Sequence, residues 1–105
     1  MSNHFNNPRL NSDELRQLIP VFMSEIKEDF TKLEVALLAG EYEFCLEILH
    51  KIKGSALSFG ITVLVDKTQD LRGFIHTGEY DCALNERLKL RFLIQELSEE
   101  LKKIT

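Results

Sequence analysis

Apolar residues recur along this chain at three- and four-residue steps, and no stretch alternates as a strand would. Ile19 leads into Phe22, Met23, Ile26, Phe30, Leu33 and Leu37, the stripe of a long amphipathic helix of about 19 residues. Pro20 suits its first position and Gly40 its C-terminal stop. A second helix is expected over residues 41–59, with Phe44, Cys45, Ile48, Leu49, Ile52, Ala56 and Phe59 on its buried face and Gly60 as its stop. A third, residues 62–76, aligns Leu64, Thr68, Leu71 and Ile75 behind Ile61, with Val65 and Arg72 at the stripe's border and Gly78 closing it. The fourth, residues 80–104, keeps Ala83, Leu90, Ile94, Leu97, Leu101 and Ile104 in line, broadened by Leu84, Leu88 and Leu93.

Long amphipathic segments joined by very short turns predict an all-α, antiparallel up-down four-helix bundle. Ser12, Asp13 and Glu14 start a short extra helix that Pro20 prevents from continuing, and it is expected to cap one end of the bundle. The domain therefore spans residues 12–105. Residues 1–11 are polar and asparagine-rich, which predicts a mobile N-terminal arm with a solvated His4. The tripeptide Gly-Glu-Tyr opens both the second and the fourth helix, at Gly40 and at Gly78. Because the following residues diverge, it reads as shared turn chemistry rather than an internal repeat.

On the second helix the apolar stripe sends His50 to the opposite side, into solvent, at about 100° per residue. Glu43, Leu46, Glu47, Lys53, Gly54 and Leu57 share its face. Gly54 costs that helix about 1 kcal/mol relative to alanine. On a solvent face packing does not explain that cost, whereas close approach by another backbone would. Leu46 and Leu57 place apolar groups beside an exposed imidazole, the mark of a docking patch. Lys53 is within reach of a group carried on His50. Ser55 projects about 140° away from His50 and belongs to the helix interface.

The string His50-Lys51-Ile52-Lys53-Gly54-Ser55-Ala56-Leu57-Ser58-Phe59-Gly60 resembles the signature of histidine-containing phosphotransfer (HPt) domains. The resemblance is strongest over residues 44–60 and extends weakly from Ile19 to Leu101. It implies that His50 accepts a phosphoryl group from a receiver-domain aspartate and passes it to another receiver. Lys53 would then neutralise phosphate charge and Gly54 would give steric access, with Leu46 and Leu57, joined by Leu38 or Ala39, forming the apolar contact with the receiver. The family often places a glutamine or glutamate on the third helix where it hydrogen-bonds the active histidine. Here that position is Arg72, which cannot accept a hydrogen bond and so could not orient His50 as glutamate would. It would instead contact the phosphoryl group, or else stand as a solvated arginine covering apolar surface. The implied partners are receiver domains of response regulators or hybrid sensor kinases. No cofactor is expected on this chain, and Mg²⁺ would come with the receiver.

Composition narrows the alternatives. A net charge of −4 argues against nucleic acid as a partner. Cys45 and Cys82 show no metal-ligand or redox spacing, and no His or Cys joins the carboxylates of the Glu/Lys-rich runs 25–34 and 95–103, which read as solvated faces. Hence no metal site is expected. No apolar run has membrane-spanning length and no leader pattern is present, so the expected location is cytoplasmic, without membrane association. Without a nucleotide-gripping loop, the chain reads as a monomeric phosphoryl carrier with no autonomous kinase activity. The competing reading is a non-catalytic helical interaction module that binds a receiver or regulator through the His50 face.

Overall fold

The computed structural model describes residues 4, 5, 8–10 and 12–104, apart from the side chains of Arg9 and Ile104. A 3-10 turn (Pro8–Leu10) is followed by α1 (Asp13–Gln17), α2 (Ile19–Leu38), α3 (Tyr42–Phe59), α4 (Thr62–His76) and α5 (Tyr80–Ile104). Among the described residues there is no strand. α2 packs on α3, α3 on α4 and α4 on α5, and α5 closes back on α2. The all-α antiparallel bundle read from the periodicity is the observed architecture, and α1 packs against α2 at one end.

The stripes meet in one core. Ile26, Leu33, Leu49, Ile52, Leu64, Leu71, Leu90 and Leu97 are fully or almost fully buried there. Cys45 is buried among them, and desolvation together with the nearby Glu41 carboxylate pushes its thiol up to about 11. That is the behaviour of a small hydrophobe rather than a nucleophile. The buried hydroxyl of Thr68 donates to the Val65 carbonyl at 2.7 Å, which lets a polar residue occupy a core position on α4.

The three turns between the long helices share one geometry. At Gly40 the chain turns with φ of 73°; its amide donates to the Leu37 carbonyl, and the Glu41 amide reaches back to the Ala36 carbonyl. Gly78 and Glu79 repeat this arrangement on Ile75 and Phe74. An L side chain is strained at such a φ, so glycine there is a backbone requirement. The two Gly-Glu-Tyr starts lie side by side, and their tyrosines, Tyr42 and Tyr80, stack with ring centroids 3.9 Å apart and planes 4° apart.

Four expectations are corrected. Phe44 lies at the stripe's edge and is 44% exposed, resting over α2 beside Val35 and Ala36. Leu88, expected to broaden the core face of α5, is exposed for the same reason. Within the run 25–34, Asp29 is buried, not solvated: it falls inside the α2 stripe and takes the Lys51 ammonium at 3.3 Å. Of the N-terminal arm, the described residues are anchored: Phe5 and Leu10 are 0% exposed, and His4 bonds Glu100 on α5. Two apolar side chains inserted at the end of the bundle outweigh the polarity of their neighbours. Residues 1–3, 6, 7 and 11 lie outside the described residues, as does the Ile104 side chain assigned to the α5 stripe.

Candidate functional site

Two ion pairs fix how α3 and α4 are turned about their axes. Lys51 reaches Asp29 on α2, so that side of α3 faces α2. His50, one residue earlier, is rotated about 100° further from α2 and is exposed. On α4, Lys67 reaches Glu86 on α5 at 3.3 Å, which defines the α5-facing flank. Arg72, five residues later, is rotated about 140° from Lys67 and therefore lies on the flank toward α3.

His50, Leu46, Lys53 and Leu57 thus share the outer, α4-facing side of α3, and Arg72 lies across the groove from them. Leu46 and Lys53 are half-buried, whereas Leu57 is 48% exposed. Arg72 is exposed rather than covering core. Among the described residues neither Lys53 nor Arg72 pairs with a carboxylate, in contrast to Lys51 and Lys67. Two uncommitted cations therefore border one exposed imidazole.

Gly54, one turn beyond His50, is exposed, and a Cβ built there meets nothing within 4 Å. No neighbour in the fold requires glycine at this point of the helix. Ser55 is half-buried, on the side expected for the helix interface. Leu38 ends α2, on the flank of α3 away from His50, and lies about 12 Å along the bundle from its level. The structure brings Leu46 and Leu57 to the imidazole's flank and leaves Leu38 outside that groove.

One feature of the site was not readable from spacing. The groove continues past Leu57 into an open cleft of about 420 Å³ lined by Pro8, Ala56, Leu57, Gly60, Ile61, Thr62 and Val65. Its wall includes Pro8, from a segment whose sequence carries no helical period.

The structure is thus a four-helix bundle that carries an exposed mid-helix histidine, a lysine three residues on with no carboxylate partner among the described residues, and a bare helix flank. The sequence matches the Hpt domain family over residues 17–104. The chain belongs to that family, whose members carry out histidine phosphotransfer in two-component signalling and interact with receiver domains. No curated protein and no solved structure matches it significantly. No helix among the described residues is long and apolar enough to cross a membrane.

Proposed function

We propose that this protein is an intermediate of a multistep phosphorelay that takes a phosphoryl group on His50 from one receiver aspartate and gives it to another. The observation that carries this reading is the exposure of His50 beside Gly54, whose open flank admits a partner backbone to the imidazole.

In the transfer, the lone pair of the unprotonated ring nitrogen forms a P–N bond as the aspartyl O–P bond breaks. The bonding electron pair stays with the aspartate as carboxylate, and the proton on the other ring nitrogen then passes to water. Return transfer reverses these changes. The receiver supplies the activated phosphoryl group and its Mg²⁺, so this chain contributes placement more than chemistry. A helix interior holds the imidazole rigidly. Lys53 offsets the charge that develops on the transferring group, and Arg72 contacts it from across the groove. Leu46 and Leu57 give the receiver an apolar footing, and a single bundle suffices because each reaction partner arrives in turn.

The test is transfer from a radioactively phosphorylated receiver domain to wild type and to His50→Gln. Acid-labile, base-stable label on wild type alone is expected. Receiver binding by wild type with no label on it would replace this reading with that of a non-catalytic interaction module.

A further inference from the structure

The cleft at the α3–α4 turn does not depend on the bundle alone. One wall is Pro8, and described residues on either side of it are fixed at three places. The His4 amide and ring Nδ1 reach the two carboxylate oxygens of Glu100 at 2.7 and 2.6 Å. Phe5 and Leu10 are completely buried. The Arg16 guanidinium donates to the Leu10 carbonyl at 3.4 Å. Pro8 itself stays exposed between these anchors, a rigid apolar ring with no amide N–H to offer. Facing it are Ala56, Leu57, Ile61 and Val65, with Thr62 the one polar side chain of the lining.

This cleft is continuous with the His50 groove through Leu57. Leu57 lies seven residues beyond His50, which is about 10 Å along α3 and about 20° around it. A protein that brings an aspartyl phosphate to His50 must cover the surface around it. A standard interface buries about 800 Å² on each partner, a disc of about 16 Å radius. The near wall of the cleft, at Ala56 and Leu57, falls inside that disc and Gly60 lies at its rim, so the occupant is set by the chemistry at His50.

We propose that the anchored N-terminal segment, through Pro8, builds a receiver-docking pocket at the α3–α4 turn, which takes an apolar side chain of the incoming receiver domain. The inference rests on the phosphotransfer reading and adds to it a determinant of receiver affinity outside the phosphoryl-binding groups. The pocket acts on docking alone. It has no part in the reactivity of the imidazole, because none of its lining residues carries a charge or reaches the transferring group.

Pro8→Asp puts a charge on the wall, and Thr62→Trp fills the mouth from an exposed position at the start of α4. Neither substitution removes a buried anchor, and circular dichroism melting checks that both variants keep the fold. Receiver domains phosphorylated with acetyl phosphate are titrated against wild type, both variants and Phe92→Ser on the outer face of α5. A second series uses phosphoramidate, a small donor that gives its phosphoryl group to histidine and releases ammonia, and so needs no docking.

Both pocket variants are expected to raise the half-saturating receiver concentration by about five-fold or more. Labelling by phosphoramidate and the Phe92→Ser titration should match wild type. Unchanged half-saturation in both pocket variants, with wild type accepting label from a receiver, overturns the pocket and leaves phosphotransfer standing. If wild type takes label from no receiver, the phosphotransfer reading falls, and the pocket falls with it.

Discussion

Gly54 on α3 and Gly73 on α4 are alike in every local respect. Each sits inside a helix, each is exposed, and a Cβ built at either meets nothing within 4 Å. Each costs its helix about 1 kcal/mol relative to alanine, and nothing in the fold requires that cost. They differ in their neighbours. Gly54 lies one turn past an exposed imidazole held in the interior of α3 and flanked by an unpaired lysine, whereas the exposed imidazole near Gly73, His76, is the last residue of α4. The geometry of a glycine alone therefore does not mark a site. On the proposed phosphotransfer reading, what singles out Gly54 is its place one turn after a mid-helix imidazole, where a partner's backbone would use the space that the fold leaves empty.

The sharpest way to break this comparison is Gly54→Leu. Leucine is a better helix former than glycine and finds open space, so the melting temperature is expected to rise by several degrees, on the order of 4 °C. Transfer from a phosphorylated receiver should fall about ten-fold or more, since the isobutyl group occupies the partner's path. Opposite signs in the melting curve and the transfer assay would separate a docking requirement from a folding one. A variant that is both more stable and equally active would remove steric access as the role of Gly54.

The His50 face was legible because it belongs to a regular helix. Once Cys45, Ile48, Leu49, Ile52 and Ala56 define the buried side, the rotation per residue puts His50, Gly54 and Leu57 outside, and burial agrees for each. The errors fall where periodicity has no grip. Phe44 stands at the margin of a stripe, and its exposure depends on how closely α2 approaches. Asp29 occupies a core-facing position that is tolerable only because Lys51, 22 residues later, supplies a counter-charge. Phe5 and Leu10 have no period at all, so their burial is a tertiary event that composition masks. The same holds for the tyrosine stack: the repeated tripeptide foretold two equal turns, but not that they would be neighbours. Hence the exposed His50 face was readable, and the surroundings contributed by distant parts of the chain were not.

A finer contrast lies within α4, between Arg72 and Gly73. Consecutive in sequence, they are separated by about 100° around the helix, enough to turn one toward the α3 groove and the other straight outward. Arg72→Ala is expected to slow receiver-dependent labelling of His50 by about three-fold, the scale of one exposed charge contact. The deficit should narrow as ionic strength rises, because salt screens the attraction that wild type uses. A rate loss that is independent of salt would assign Arg72 to packing rather than to the transferring phosphoryl group.

The smallest effect on function is expected at Gly73→Ala. The added methyl group meets no atom within 4 Å, so the native state gains helix propensity without strain. Stability should increase by about 1 kcal/mol, or about 4–8 °C in melting temperature for a domain of this size. Receiver-dependent transfer should remain that of wild type, since the outward side of α4 at this position is turned from the groove that holds His50. Measured next to Gly54→Ala, this variant isolates location as the only variable: the same substitution, in the same backbone conformation, with the same gain in stability. A parallel loss of transfer at Gly73 would extend the receiver's footprint across the outer face of α4. Unchanged transfer there, beside a loss at Gly54, confines the close approach to the turn of α3 that follows His50.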